Sequence, residues 1–290
     1  MKLEYNGWEK DRKMKNSSFL PNIRAHIASL IDVCEPQSEI NILDIGCGID
    51  ASFLQNIKED PEILGLLDTK NASLNLHAIS ADSKVKPPYV THYPQFLTVN
   101  NGLSFIPSDI QFDLIYSSWC INYLGPNTFE RLVKDSLDKI KNGKYIFLNP
   151  YEPVKYSSAF PKALDLTEDY KSIIPSLLQE EKLTELELQK VKGNFLKLIR
   201  KLQLEEVMGE RLEQLKKSSD IEEIWEIFCI HILMNNLLDE YRIQVTMDYS
   251  INIFELKQRR LAKILEENPN INKEITNWRD FDTLILKKEI

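Results

Sequence analysis

Short apolar runs alternate with segments of helical periodicity over the first half of the chain. Runs of roughly four to eight apolar residues are typical of buried strands, whereas apolar residues recurring every three to four positions are typical of amphipathic helices. Five such runs predict strands, at 41–45, 62–68, 96–99, 112–119 and 144–148. Strands that alternate with helices predict a mostly parallel sheet with flanking helices, and they place a ligand at the carboxyl ends of the strands.

Four helices are predicted from the periodicity and from residues typical of helix starts and ends. They cover Leu20–Val33, Ala51–Lys58, a segment through Leu74 and Leu76, and a segment from Asn127 to Ile140. Asp50 is predicted to cap the second helix, and Asn127 with Glu130 has the spacing of a capping box for the fourth. The fourth helix is predicted to stop at Asn142-Gly143.

The second half of the chain changes to long helical patterns in which charged residues separate the apolar stripes. One segment, Asp220–Glu240, is apolar nearly all round and is predicted to be buried. The last residues predict a closing β-hairpin, so the helical segment is expected to be inserted within the fold. Four regions follow: an N-terminal helical cap (1–40), a Rossmann-like α/β core (41–150), a helical lid or insertion (151–270) and closing strands of the core sheet (271–290).

The composition is that of a globular protein. Hydrophobic residues make up 43% of the 290 residues, no apolar run approaches the roughly 18 needed to span a membrane, and the first residues lack a signal-peptide core. The four cysteines lack C-x-x-C spacing, so neither a metal site nor a disulfide framework is predicted. The net charge of −8 disfavours nucleic acid and anionic membrane as partners. A soluble, cytoplasmic protein is predicted.

Two closely spaced glycines, Gly46 and Gly48, end the first apolar run just before a predicted helix. Glycine accepts positive φ and leaves no side chain between the backbone and a ligand, and the following helix directs its free N–H groups into the same space. We call residues 46–48 the glycine turn, and it suits a nucleotide-like ligand.

Polar residues follow the other predicted strands. Asp68 lies twenty residues after Gly48, at the predicted end of the second strand, where an acid commonly accepts hydrogen bonds from ribose hydroxyls. Asn100 and Asn101 follow the predicted third strand and suit hydrogen bonds to a base edge. The fourth predicted strand ends in small hydroxyls and an aromatic residue, which is typical of a strand end that faces a ligand.

Together these motifs resemble the class I S-adenosylmethionine-dependent methyltransferases over about 110 residues, from Asn41 to Pro150. The resemblance rests on Leu43-Asp-Ile-Gly-Cys-Gly48, Asp68, Asn101, and Phe112–Ser118 followed by Trp119–Leu124. It implies that S-adenosylmethionine is the cofactor. It assigns the methionine part of the cofactor to Asp44, Gly46, Cys47 and Gly48, the ribose to Asp68, the adenine to Asn101, and the floor between cofactor and acceptor to Ser117, Ser118 and Trp119. The neighbouring Thr69 and Asn100 are further candidates to bind the cofactor.

Two positions depart from the family pattern. Asp50 stands where the family usually has a third glycine, and Asn101 stands where an acid often meets the adenine. An aspartate at position 50 argues against the close packing of helix against strand that a third glycine allows. A dinucleotide is the alternative ligand, because Gly46-x-Gly-x-x-Ala51 also fits its binding turn. Asp44 disfavours that alternative, since it would face a pyrophosphate with a negative charge, whereas it favours the ammonium and sulfonium groups of S-adenosylmethionine.

The acceptor is predicted to be a small molecule methylated on oxygen or nitrogen, as a carboxylate, hydroxyl or amine. Trp119, Asn122, Tyr123 and Asn235 are candidates to contact it. His231 lies four residues before Asn235 and is a candidate base, although a buried histidine bonded to a neighbour is the commoner role of such a residue. Two alternatives remain open: a protein or peptide acceptor that docks on the helical half, and a non-catalytic binding protein with this fold.

Overall fold

A computed structural model of the chain describes residues 23–48, 50–80, 85–95, 97, 100–118, 121, 124, 126–149, 184–201, 205, 210–218, 245–278 and 281–290. Seven strands within these residues form one sheet. They are β1 (Glu39–Ile45), β2 (Ser73–Ser80), β3 (Val90–Pro94), β4 (Phe112–Ser118), β5 (Ile140–Asn149), β6 (Ile271–Trp278) and β7 (Phe281–Lys288). Their order across the sheet is β3-β2-β1-β4-β5-β7-β6.

Most neighbouring strands in this sheet are parallel. β1 lies between β2 and β4 and is parallel to both. β3 and β5 continue the parallel arrangement on either side. β7 runs antiparallel to its two neighbours, β5 and β6, and forms the closing hairpin with β6. The predicted fold class is therefore confirmed as a Rossmann-like, mostly parallel α/β sheet that ends in a β-hairpin.

Helices flank the strands along the chain. They are α1 (residues 23–32), α2 (Ser52–Glu59), α3 (Pro61–Lys70), α4 (Pro126–Lys139), α5 (Glu185–Lys201), α6 (Glu210–Lys217) and α7 (Val245–Glu267). The helices predicted at 20–33, 51–58 and 127–140 correspond to α1, α2 and α4. None of the described helices has both the length and the apolar character that a membrane crossing requires.

Apolar residues from α1, α2 and α3 pack on one face of the sheet. This core is built from Ile23, Ile27, Leu30 and Ile31 of α1, Phe53, Leu54 and Ile57 of α2, Ile63 and Leu67 of α3, and strand residues that include Ile42, Leu76, Leu114, Tyr116 and Phe147. The strand residues that alternate with these, such as Leu43, Ile115 and Ile146, are also buried. Because side chains alternate between faces, both faces of the sheet are covered.

The second strand lies later in the chain than predicted. Residues 62–68 belong to helix α3, and the segment through Leu74 and Leu76, predicted as a helix, is strand β2. Asp60 explains the helix, because its side chain accepts hydrogen bonds from the N–H groups of Glu62 and Ile63, and Pro61 occupies the first turn. Aspartate at the N-cap followed by proline is a strong helix start, and it outweighs the apolar run.

Three further boundaries differ from the prediction. The third strand is β3, earlier than 96–99, and of those four residues the structure describes Leu97, which is buried outside any strand. The capping box at Asn127 is wrong, because α4 already begins at Pro126 and the Asn127 side chain accepts a hydrogen bond from Arg260. Helix α4 ends at Lys139 and β5 begins at once, so Asn142 lies within that strand, beside a shift in its register with β4.

Two compact units divide the described chain. One comprises the described residues within Met1–Asn122, Arg131–Glu152 and Ile264–Ile290, and it holds the sheet and α1–α3. The other comprises those within Tyr123–Glu130 and Pro153–Lys263, where Lys192 of α5 donates to the backbone oxygen of Lys216 in α6. The predicted boundaries of the four regions, and the role of the helical half as a lid, stay predictions. The segment Asp220–Glu240 lies outside the described residues.

Asp113 joins several strands near their amino ends. Its carboxylate accepts a hydrogen bond from the backbone N–H of Asn41 at 2.9 Å and one from Lys141 Nζ at 2.6 Å. Lys144 Nζ lies 3.9 Å from the same carboxylate. These contacts connect β1, β4 and β5 at the edge of the sheet away from the glycine turn, so this charged cluster has a structural role.

Candidate active site

The strand order reverses between β1 and β4. The chain runs outward from β1 through β2 to β3 and then returns to place β4 on the other side of β1. In open α/β sheets a crevice forms at the carboxyl ends of the two strands where the order reverses, and ligands bind there. Ile45 at the end of β1 pairs in register with Ser117 of β4. The glycine turn starts at the next residue, so it lies at this crevice.

The glycine turn has a defined backbone geometry. Gly46 has φ of 79° and Gly48 has φ of 67°, a region that residues with a Cβ rarely adopt. The N–H of Gly46 donates to the Ile79 carbonyl oxygen at 2.8 Å, and the N–H of Cys47 donates to the same oxygen at 3.2 Å. These bonds hold the turn against the end of β2, and the positive φ predicted for the two glycines is confirmed, whereas contact of the turn with a ligand stays a prediction.

Asp44 places a buried carboxylate just before the glycine turn. Its exposed fraction is 3%, and it lies in register with Ala78 and Tyr116 on the neighbouring strands. A carboxylate at low exposure stabilises a nearby positive charge more strongly than one in open solvent, because the effective dielectric constant is lower. A ligand with an ammonium or sulfonium group suits this site. Cys47 is buried, and its thiol lies 3.1 Å from the Gly48 carbonyl oxygen.

Asp50 is not the N-cap of α2, which corrects the prediction. Ala51 occupies that position with left-handed backbone angles (φ 44°, ψ 45°), and no side chain accepts a capping hydrogen bond there. Asp50 Oδ1 instead lies 2.6 Å from Lys86 Nζ, in an ion pair that joins the start of α2 to the segment before β3. The sequence did not indicate this partner, because residues 50 and 86 are far apart along the chain.

Ser117 is fully buried at the end of β4, with an exposed fraction of 0%. Its Oγ has no hydrogen-bond partner among the described residues. A buried hydroxyl without a partner is costly, so such groups in folded proteins are few and often belong to functional sites. Ser118 follows as the last residue of β4, and its side chain lies outside what the structure describes.

Asn101 lies in a turn that helix α4 anchors. Asp135 of α4 accepts a hydrogen bond from the Leu103 backbone N–H at 2.7 Å and forms an ion pair with Arg131. Gly102 lies between Asn101 and Leu103 with φ of 46°. Asn101 is half-buried and the preceding Asn100 is exposed. The turn is therefore fixed in position, and contact of either amide with a ligand stays a prediction.

Asp68 and Thr69 do not lie at a strand end. Both are exposed residues near the end of α3, and the Thr69 hydroxyl donates to the Gly65 carbonyl oxygen within that helix at 2.8 Å. The reason for assigning Asp68 to the ribose, and Thr69 to the cofactor beside it, was the predicted strand at 62–68, and the helix found there removes that reason. The residue that ends β2 is Ser80, which is buried. Apolar residues alternating at 74, 76 and 78 were the sequence signal for this strand.

Two histidines form hydrogen bonds between β2 and β3. His92 Nε2 lies 3.1 Å from Ser80 Oγ, and His77 Nδ1 lies 3.2 Å from the Tyr93 hydroxyl. Burial lowers the pKa of both imidazoles below the ordinary value of 6.5. His26 of α1, whose pKa burial also lowers, packs against Tyr145 and Phe147 of β5. The neutral forms of these histidines are therefore favoured.

The candidates for contact with an acceptor lie outside the described residues. They are Trp119, Asn122, Tyr123, His231 and Asn235. Their assignment stays a prediction. Within the described residues, no cluster of histidine, cysteine, aspartate and glutamate side chains is arranged to hold a metal ion.

The fold is similar to those of several solved methyltransferases, all at low sequence identity. An S-adenosylmethionine-dependent methyltransferase from Clostridium acetobutylicum is 16% identical over 47% of this chain and 51% of its own length, with a TM-score of 0.28. A loganic acid methyltransferase with SAH is 12% identical over 95% and 94%, with a TM-score of 0.39. A SAH-bound methyltransferase from Podospora anserina is 11% identical over 86% and 72%, with a TM-score of 0.35.

The similarity to the first of these covers about half of that protein's length. The sequence matches no protein-family model, and it matches no curated protein. At TM-scores below 0.5 these similarities say nothing about the activity of this chain, so the assignment of the fold rests on the strand order and on the antiparallel β7. By that arrangement the chain has the fold of the class I S-adenosylmethionine-dependent methyltransferases.

Proposed function

We propose that the chain binds S-adenosylmethionine on the glycine turn and transfers its methyl group to a small-molecule oxygen or nitrogen acceptor. The observation that carries the proposal is the buried Asp44 carboxylate directly before two glycines of positive φ, at the point where the strand order reverses. The acceptor class is a carboxylate, a hydroxyl or an amine, as the resemblance to the family implies.

The residues at the crevice fit this cofactor chemically. Asp44 offers a negative charge to the ammonium and sulfonium groups, and the glycine turn leaves its backbone open to the methionine part. The Ser117 hydroxyl, without a partner among the described residues, offers a hydrogen bond. A dinucleotide fits less well, because its pyrophosphate would meet the Asp44 charge.

The protein's main task in such a reaction is to hold and align the reactants. The bound cofactor supplies an activated methyl group on a sulfonium, so the chain has to position the acceptor atom in line with it and exclude water. Asp44 and the glycine turn would fix the cofactor end. A carboxylate acceptor is already nucleophilic and needs no base, whereas a hydroxyl or a protonated amine has to lose a proton first.

Calorimetric titration with S-adenosylmethionine and S-adenosylhomocysteine tests the proposal. The wild-type chain should bind both ligands, and Asp44→Asn should weaken S-adenosylmethionine by about tenfold or more, because a charge-assisted contact is worth roughly 1.5–3 kcal/mol. Asp68→Asn is the matched control. It removes an exposed helical carboxylate and should leave the affinity unchanged. Circular dichroism spectra should show that both variants fold.

Two results would contradict the proposal. One is the absence of binding to the wild-type chain, and the other is an equal loss of affinity in Asp68→Asn and Asp44→Asn. Once binding is established, transfer of a labelled methyl group to panels of carboxylic acids, phenols and amines tests the acceptor class. Labelling of peptides but of none of these small molecules would favour the protein acceptor, and binding without any transfer would favour the non-catalytic alternative.

A further inference from the structure

Strand β6 forms one edge of the described sheet, and strand β3 forms the other. β3 has five residues and ends at Pro94, which has no N–H to offer. Short edge strands and prolines both hinder pairing with another chain. β6 has eight residues, all of them paired in register with β7, and its sequence contains no proline. Of these two edges, β6 is therefore the better suited to accept a further strand.

The hydrogen bonds at the start of the closing hairpin show which backbone groups of β6 point away from β7. The N–H of Glu289, which follows β7, donates to the Asn270 carbonyl oxygen at 2.8 Å, so Asn270 faces β7. In an antiparallel pair, residues that bond to the neighbouring strand alternate with residues whose N–H and C=O groups point the other way. Every second residue from Asn270 onward faces β7 in the same way. The residues between them present their backbone groups at the free edge, and they include Lys273, Ile275 and Asn277.

The side chains along this edge leave it open to solvent. Lys273 and Glu274 are exposed, and Ile275 is 45% exposed although it is apolar. A long edge strand with an exposed apolar residue is a ready template for strand addition. A further strand would bond to the outward N–H and C=O groups of Ile275 and would cover part of its side chain.

A second copy of β6 matches the spacing of these groups. Two antiparallel copies related by a two-fold axis at Ile275 would place Ile275 opposite Ile275 of the second copy. Lys273 of each copy would then lie opposite Asn277 of the other. All of these residues have outward backbone groups, and each opposite pair can exchange two hydrogen bonds. The edge is therefore complementary to itself, as a two-fold interface requires.

The charges of β6 disfavour the neighbouring registers. An axis at Glu274 would place two carboxylates opposite each other, and an axis at Lys273 would do the same with two ammonium groups; like charges directly opposite are destabilising. An axis at Thr276 would carry Lys273 past the end of the second strand, so fewer backbone pairs would form. With the axis at Ile275, the Thr276 hydroxyl can donate to Glu274 of the second copy.

We propose that the chain forms a two-fold symmetric dimer in which two β6 strands pair antiparallel about Ile275 and join the two sheets into one. The contact is one strand wide, which places it at the small end of specific interfaces, so the dimer should be reversible and depend on concentration. This inference goes beyond the proposed function and does not depend on it.

Sedimentation equilibrium of the full chain tests the dimer. Between about 5 and 500 μM, the weight-average mass of the wild-type chain should rise from that of one chain toward that of two. Ile275→Lys should abolish this rise, because it places two ammonium groups at the axis. Val33→Lys is the matched control, since Val33 is also an exposed apolar residue but lies at the end of α1, and this variant should associate like the wild type. Circular dichroism should show that both variants fold.

Cysteine substitution tests the register. Ile275→Cys and Thr276→Cys are each treated with a mild oxidant at high concentration, and covalent dimers are measured on non-reducing gels. The wild-type chain is the control for its natural cysteines. A residue on the axis meets its own copy at about 5.5 Å between Cα atoms, which a disulfide can span. Ile275→Cys should therefore give several-fold more covalent dimer than Thr276→Cys or the wild type.

Three results would overturn the inference. A wild-type chain that stays monomeric over this range would leave the β6 edge to a strand of another protein. A dimer that Ile275→Lys leaves intact would lie elsewhere on the surface. Cross-linking of Thr276→Cys as extensive as that of Ile275→Cys would contradict the register. None of these measurements involves S-adenosylmethionine, so the proposed function stands or falls separately.

Discussion

Substitution of Gly102, in the turn that follows Asn101, is expected to destabilise the chain. Its φ of 46° lies in the left-handed region, where a residue with a Cβ costs roughly 1–2 kcal/mol. A Cβ at this position would collide with Asp135 Oδ2 and lie 2.9 Å from Arg131 Cγ. Asp135 would have to move, and its hydrogen bond from the Leu103 N–H would be lost.

The two costs add to an expected loss of stability. A hydrogen bond to a charged group contributes roughly 1.5–3 kcal/mol, so Gly102→Ala should reduce the free energy of unfolding by about 2.5–5 kcal/mol. For a chain of this size that corresponds to a fall in Tm of roughly 4–8 °C. Because Asn101 precedes Gly102, the affinity for S-adenosylhomocysteine should fall as well if that amide contacts the ligand.

Gly65→Ala is the matched control for this prediction. Gly65 lies within α3 and an added Cβ would meet no atom within 4 Å. Alanine favours a helix interior over glycine by about 1 kcal/mol, so this variant should be more stable than the wild type. Urea unfolding followed by circular dichroism measures both changes. A loss below about 1 kcal/mol in Gly102→Ala, or a change of the same sign in both variants, would refute the reasoning.

Two further predictions concern buried polar groups. Ser117→Ala removes a hydroxyl without a partner among the described residues, so the ligand-free chain should gain about 1 kcal/mol of stability. The stabilisation of the variant by S-adenosylhomocysteine should be smaller than that of the wild type. Thermal unfolding with and without ligand measures both changes, and a less stable ligand-free variant would contradict the expectation. The pKa values of His77 and His92 are lower in the folded chain than in the unfolded chain, so at mildly acidic pH the unfolded chain binds more protons than the folded chain. The contribution of these histidines to stability is therefore complete above about pH 6.5 and is lost as the pH falls through the lower folded pKa values. Urea unfolding at about pH 7.5 and 5.5 should show this loss, and His77→Phe should reduce it; stability that rises on acidification would contradict the assignment.

Local sequence patterns determined much of the fold. The glycines after the first strand, the amphipathic helices α1, α2 and α4, and the closing hairpin follow from residues only a few positions apart, because turn geometry and helical periodicity depend on near neighbours. The second strand was placed wrongly although the signals were local. Asp60 with Pro61 marked a helix start, and alternation at 74, 76 and 78 marked a strand. The prediction followed the apolar run at 62–68 instead of these two signals.

The sequence by itself determined that the glycine turn follows the first strand and carries Asp44 before it. The tertiary structure decided which other groups surround the turn. The strand order brings Ser117 into register with Ile45 and places Lys86 against Asp50, while α3 takes Asp68 away from any strand end. Contacts of this kind join residues separated by tens of positions, and they depend on which strands become neighbours in the sheet. No local pattern along the chain specifies that order.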